Sequence, residues 1–228
     1  NENHYQLKGF YMKLAYLIII ISSLFSSQRY YVWTYGNQMM EKGESELELY
    51  SSYYDYAEDP FKIKQYIELE VGMNDRLDAG VYLRYSQIDA DNSYFKFDGY
   101  KLKARYRLFE VDKLKWNPIL YFESYIDPDF SITKFEHKLI LTRDYGNLNL
   151  AFNPTIELEF EEETEIEIEL YSAMSYKLNR VLRLGLESKL SEYGDYIGPT
   201  FSHGSEDIFI SLGLIKAIRK ESDQPDQM

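Results

Sequence analysis

The sequence contains no cysteine and few of the residues that interrupt secondary structure. Its 228 residues include 6 prolines and 12 glycines, and the missing cysteines exclude a small secreted fold held together by disulfides. Basic residues are also scarce, because 25 lysines and arginines stand against 38 acidic residues and the formal net charge is −13. A nucleic-acid partner requires a basic surface, so we predict no such partner. Aromatic residues are abundant instead, with 23 tyrosines and 13 phenylalanines, which excludes a disordered chain.

The apolar run at residues 14–25 has the length and setting of a secretion signal. It follows the positive charge of Lys13 and precedes a pair of serines that are small enough for signal cleavage. The run is too short to cross a bilayer as a helix, which needs about 20 residues. We therefore predict upstream residues and a signal peptide over residues 1–27, with a buried core helix as the alternative.

After the signal, polar and apolar residues alternate with the two-residue period of β-strands. Residues 44–50 alternate acidic with apolar side chains, and residues 100–108 place four cations on one side and apolar groups on the other. Tight turns containing Asn, Asp or Gly, such as residues 72–76, 144–147 and 177–180, alternate with longer loops. Short turns at one end and long loops at the other are typical of bacterial outer-membrane barrels.

The alternating pattern predicts an all-β, antiparallel up-and-down transmembrane β-barrel of about 12 strands, of which 11 are visible. Alternation alone also fits a soluble barrel or sandwich with the two faces inverted. The signal peptide, the nearly uninterrupted strands and the aromatic excess, which suits interfacial girdles, favour the membrane barrel. We therefore predict a location in the cell outer membrane, in contact with lipid, lipopolysaccharide and the barrel-assembly machinery. A soluble periplasmic barrel that binds an apolar ligand is the inverted alternative.

This interpretation divides the chain into four parts. Residues 1–27 precede a periplasmic N-terminal segment at residues 28–43, a barrel at residues 44–215 and a hydrophilic loop or tail at residues 216–228. Single-chain bacterial barrels have an even number of strands, so we expect a twelfth strand after the eleven visible ones. Because such barrels commonly end on an aromatic residue and this chain ends in Met228, we expect the sequence to lack that last strand.

Three short segments resemble a family of poorly characterised bacterial outer-membrane barrels. They are residues 40–48, residues 70–81 and residues 196–200. The family includes proteins described as transporter-like or as outer-membrane proteins of phenol-degradation pathways. The resemblance implies an outer-membrane location and a barrel fold, and it brings no catalytic or ligand-binding residue with it.

Charged side chains on the predicted strands should face the lumen of the barrel. The predicted lumen-lining residues are Lys101, Lys103, Arg105, Arg107, Glu157, Glu159, Glu165, Glu167, Glu169 and Arg183. Cations of residues 101–107 standing opposite acids of residues 157–169 would create a transverse field that orients a zwitterionic or polar solute. In the alternative, these charges pair and fill the lumen, because a barrel of 12 strands lies between the filled and the open sizes.

No residue pattern indicates catalysis, so we predict neither an enzyme nor a cofactor. The histidines are His4, His137 and His203, and none belongs to a metalloprotease, Gly-rich phosphate-loop or nucleophile-elbow motif. The acidic run at residues 157–169 offers the oxygen ligands that divalent cations prefer. A solvated loop with lumen-facing ends explains it better, so no metal is predicted. The predicted function is passive passage or uptake of small polar solutes. The alternative is a closed-lumen structural or surface-interaction barrel.

Overall fold

The computed structural model describes residues 29–56, 61–88, 95–161, 163–205, 208–221 and 224–228. Across these ranges the chain forms twelve β-strands, which confirms the predicted all-β fold class. The strands are β1 (Ser45–Tyr54), β2 (Lys62–Asn74), β3 (Leu77–Ile88), β4 (Phe95–Arg107), β5 (Asn117–Ile126), β6 (Ile132–Tyr145), β7 (Leu148–Phe160), β8 (Thr164–Lys177), β9 (Leu182–Leu190), β10 (Gly194–Gly204), β11 (Phe209–Gly213) and β12 (Lys216–Lys220). No helix in the described ranges is long and apolar enough to cross a membrane. The predicted signal peptide lies outside the described residues.

The strands form one antiparallel up-and-down sheet. Each strand from β1 to β10 pairs with the next one in sequence. Both β11 and β12 pair with β10, the first along residues 200–204 and the second along residues 194–197. They are therefore two halves of one interrupted strand. Gly198 permits the interruption, because a Cβ at this position would overlap the carbonyl oxygen of Leu214.

The last residues of the chain lie between the two edges of the sheet. Gln227 forms β-bridges with Asp55, just after β1, and with Lys216, at the start of β12. The amide of Asp226 donates to the carbonyl of Asp55 at 2.7 Å, and Met228 and Ile215 exchange two hydrogen bonds of 2.8 Å. These contacts join the edges at one end, and the sheet as a whole curls into a half-barrel.

The interpretation of residues 216–228 as a loop or tail is wrong for their first part. Lys216–Lys220 form β12, and the bridges of Gln227 give the end of the tail a sheet-like conformation as well. The sequence conceals this because the interruption at residues 214–215 separates a short charged strand from the alternation of β11.

The two faces of the sheet have opposite chemistry. On the inner face Glu68, Asp78 and Thr142 have 0% exposure. On the outer face Leu69 is 48% exposed and Ile168 is 70% exposed. Soluble sandwiches bury the apolar face instead. The arrangement is therefore that of a barrel wall with charges inside and apolar groups outside, and it is the inverse of a soluble barrel that holds an apolar ligand.

Candidate functional site

Residues 29–41 cross the interior of the sheet, and we call them the strap. Their main attachment is the carboxylate of Glu187 on β9, which is 1% exposed. It accepts three consecutive backbone amides: those of Val32 at 2.6 Å, Trp33 at 2.9 Å and Thr34 at 2.8 Å. Residues 29–41 of the segment predicted to be periplasmic, residues 28–43, thus lie against the inner face of the sheet. The strap has no alternating pattern, and many of its bonds to the wall run through backbone atoms, which a sequence does not distinguish.

Strand β7 supplies the next attachments of the strap. The hydroxyl of Tyr31 donates to Oδ1 of Asn149 at 2.6 Å. The side chain of Asn153 forms two bonds with the backbone of Tyr35, accepting its amide at 2.6 Å and donating to its carbonyl at 3.2 Å. Tyr31 also packs against the small Ala151 on the wall. The strap is thus held in register against one strand by amide side chains.

The far end of the strap is bound by β3 and β4. The guanidinium groups of Arg105 and Arg107 donate to the carbonyls of Gln38 and Asn37, each at 3.0 Å. The amide of Met40 donates to Asp78 at 3.2 Å. Two of the cations predicted to line an open lumen therefore hold backbone of the strap instead.

Arg29, at the start of the strap, connects the two edges of the sheet. Its side chain donates to the hydroxyl of Tyr50 at 2.6 Å and lies 3.5 Å from the carboxylate of Glu48, both on β1. Its carbonyl accepts the hydroxyls of Ser202 on β10 at 2.5 Å and Ser211 on β11 at 2.9 Å. The strap therefore links β1 with β10 and β11, strands that do not pair with β1.

The predicted cations of β4 pair with acids of neighbouring strands. Lys103 forms ion pairs with Glu68 and Glu70 on β2, and Arg105 with Glu70 and, at 2.7 Å, with Asp78. Lys103 reaches across β3 because the intervening residue, Gly80, has no side chain: a Cβ there would lie 2.7 Å from the Glu68 carboxylate. Lys103 and Arg105 therefore neither face the acids of residues 157–169 as free charges nor pair with them, since nearer carboxylates neutralise them.

The acids predicted to line the lumen divide into two groups. Glu157 and Glu169 are buried and paired, the first with Lys134 at 2.7 Å and the second with Lys189. Glu167 is partly buried, whereas Glu159 and Glu165, nearer the β7–β8 loop, are exposed. Carboxylate oxygens of Glu157, Glu167 and Glu169 lie within 4.8 Å of one another. Two of the three already have lysine partners, so the geometry alone does not make a metal site.

Arg183, the remaining predicted residue, lies buried beside the strap. Its guanidinium donates to the hydroxyl of Ser175 at 3.1 Å and stacks 3.6 Å above the ring of Tyr30. The structure thus places Lys101, Lys103, Arg105, Arg107 and Arg183 on the inner face, in contact with wall or strap groups.

Two cavities flank the strap and differ in size. One, of about 20 Å³, lies between the strap and strands β1, β2 and β4, with room for about one water molecule. The other has a volume of about 330 Å³. We call it the tyrosine cavity. Among its lining residues are Tyr50, Tyr54, Tyr56, Tyr66, Tyr82, Tyr121, Tyr125, Tyr171, Lys64, Lys101, Lys138, Lys189, Glu123 and Glu136.

Sequence reasoning missed the tyrosines of this cavity. It assigned the aromatic excess to girdles facing lipid, yet Tyr82 and Tyr121 are at most 2% exposed. The sequence did contain an indication, because residues two apart in a strand lie on the same face. Tyr82 shares a face with Arg84, and Tyr121 shares a face with Glu123. An aromatic residue in phase with charges points inward whenever the charges do.

Fold and interior together define a class of protein: an antiparallel barrel-like sheet with a polar, strapped interior and an apolar exterior. No protein-family model matches the sequence, and no curated protein matches it. The resemblance to transporter-like outer-membrane barrels therefore stays a prediction.

Proposed function

We propose that this protein is an outer-membrane β-barrel that admits small polar solutes into its interior. The observation that carries the proposal is the distribution of side chains across the sheet. Exposed Leu, Ile and Phe side chains cover the outer face, and charged and tyrosine side chains cover the inner face. Hydrocarbon is the solvent that suits such an outer face, and polar solutes suit such an inner one.

The outer membrane and its components are part of this proposal. The exposed apolar face would contact lipid, with lipopolysaccharide at the loop end, and insertion would require the barrel-assembly machinery. The cavity contributes further support, because its walls offer tyrosine hydroxyls and ionic groups to a solute rather than an apolar lining. Passage through the whole barrel would require movement of the strap.

Movement of the strap is compatible with the way it is attached. Its bonds to Asn149 and Asn153 contribute about 0.5–1.5 kcal/mol each, and its bonds to the Glu187 carboxylate contribute about 1.5–3 kcal/mol each. Because these bonds are separate from the backbone ladder of the sheet, the strap can detach while the wall stays paired. A second candidate function, a closed-lumen structural or surface-interaction barrel, is favoured by the ion pairs and the strap that fill the interior beside β4.

The first test is folding and location. The full chain, expressed with its signal, should appear in the outer-membrane fraction and migrate differently on a detergent gel before and after boiling. A soluble product without a mobility shift would contradict the proposed location.

The second test is conductance in planar bilayers, comparing the wild type with Asn153→Ala. Loss of Asn153 removes two bonds to the backbone of the strap, so we expect larger or more frequent channel openings. Asn117→Ala is the matched control, since Asn117 is also buried and forms two hydrogen bonds, but to Asp112 outside the strap. Silent bilayers for both the wild type and Asn153→Ala would favour the closed-lumen candidate.

A further inference from the structure

We propose that the tyrosine cavity is a binding site for a small solute that carries an oxyanion, with Lys64 as its cationic contact. The inference deepens the proposed function by naming the class of solute. It rests on that function for the route by which the solute arrives. Binding itself is a separate property of the folded protein.

The charges that line the cavity do not cancel. Its cations are Arg29, Lys64, Lys101, Lys138 and Lys189, whereas its acids are Glu123 and Glu136. Most of the cations have a carboxylate partner: Lys101 lies 2.6 Å from Glu123, and Lys138 lies 3.0 Å from Glu136. Arg29 and Lys189 pair with Glu48 and Glu169, which stand outside the lining.

Lys64 is the exception among these cations. Within the part of the chain that the structure describes, it forms no ion pair, and its Nζ lies 5.0 Å from the ring centre of Tyr54. A ring face holds a cation through its quadrupole but carries no net charge. The positive charge of Lys64 is therefore positioned and still available to an anion.

A second uncompensated cation lies beside the cavity. Arg84 is opposite Tyr66 in the pairing of β2 with β3, and its guanidinium lies 4.9 Å from the ring centre of Tyr125, which lines the cavity. Its Nε and Nη1 are fully enclosed and have no hydrogen-bond partner among the described residues. Enclosed donors without an acceptor are costly, and a bound oxyanion would offset that cost.

The tyrosine side chains of the cavity indicate the chemistry of the rest of the solute, beyond its anionic group. Rings of Tyr50, Tyr66 and Tyr82 lie 6.0–6.5 Å apart and all three residues line the cavity. Such a surface suits a hydroxylated or ring-shaped body. A volume of about 330 Å³ is at the lower end of the range for ligand pockets, about 300–1,000 Å³, so the solute is small.

The test is equilibrium binding by calorimetry, using the full chain folded in detergent micelles. The probes are glucose 6-phosphate, glucose and inorganic phosphate. We expect glucose 6-phosphate to bind at least tenfold more tightly than glucose, because only the former carries an oxyanion. Comparison of glucose 6-phosphate with inorganic phosphate shows whether the sugar ring contributes to the affinity. Quenching of Trp33, which lines the cavity, should accompany binding.

Variants locate the site. We expect Lys64→Gln to weaken binding of glucose 6-phosphate about tenfold, the loss typical of one charge-assisted contact, and Arg84→Gln to weaken it less. Lys177→Gln, the same change at an exposed position, should leave the affinity unchanged. Equal affinities for glucose and glucose 6-phosphate, an absence of binding by either phosphate probe, or an unaffected Lys64→Gln variant would each overturn the inference. Binding of glucose 6-phosphate by a protein that shows no conductance would support the binding site and contradict the proposed passage of solutes.

Discussion

Removal of the Glu187 side chain should release the strap while the wall stays folded. In Glu187→Ala the amides of Val32, Trp33 and Thr34 lose their shared acceptor in a buried site. Each unsatisfied buried donor costs about 1–3 kcal/mol, so three of them cost at least about 3 kcal/mol if the strap stays in place. If the strap detaches, water can hydrogen-bond to these amides and the cost is avoided. We therefore expect the strap to detach.

Hydrogen exchange measured by mass spectrometry follows this release directly. A loss of about 3 kcal/mol corresponds to roughly a hundredfold faster exchange, and we expect it in peptides that cover residues 29–41. Peptides from β5 and β6 should keep their protection, because their ladder does not involve Glu187. Glu187→Gln keeps one acceptor oxygen and should show a smaller acceleration. Unchanged exchange of the strap in Glu187→Ala, or equal acceleration in β5 and β6, would refute this account of how the strap is held.

Three further predictions concern the stability of the wall, measured by denaturant unfolding in detergent. Lys103→Met leaves the buried carboxylates of Glu68 and Glu70 with less compensation and should cost about 3–5 kcal/mol. An unchanged midpoint would contradict the ion-pair assignment. Gly99→Ala places a Cβ against the Ile126 carbonyl at a φ of +104° and should cost about 1–3 kcal/mol; a stabilised variant would contradict the geometry. Arg219→Gln removes an exposed pair with Asp195 and two bonds to the carbonyls of Ser191 and Glu192 and should lower the midpoint only slightly, because solvent screens exposed charges; a loss as large as that of Lys103→Met would contradict this.

Alternation was sufficient to predict the strands from β1 to β11, but not the short charged strand β12. The pattern at residues 100–108 lies almost entirely within β4, and its cations are on the inner face. A two-residue period fixes the face of every side chain once one of them is placed. It carries no information on what fills the interior, so the strap and its acceptor Glu187 were not predictable.

The sequence also could not show which charges pair. We expected cations of β4 to create a field across the lumen, yet Lys103 and Arg105 are neutralised by carboxylates of β2 and β3. Neighbouring strands lie about 4.8 Å apart, whereas opposite walls are several times farther, and Coulomb attraction falls with distance. Local pairing therefore takes precedence wherever a neighbouring strand offers an acid.

The same rule determines where charge remains available to a solute. A cation keeps its field only where no carboxylate reaches it, either from directly across the ladder or, as for Lys101 and Glu123, from a diagonal position. Lys64 stands opposite Ser52 on one side and Ser86 on the other, and Arg84 stands opposite Tyr66 and Gly99. Their neighbours are neutral, whereas Asp78 stands directly opposite Arg105. The composition of adjacent strands, rather than the net charge of −13, would then decide the sign of the solute, and an acidic protein can hold an anion site.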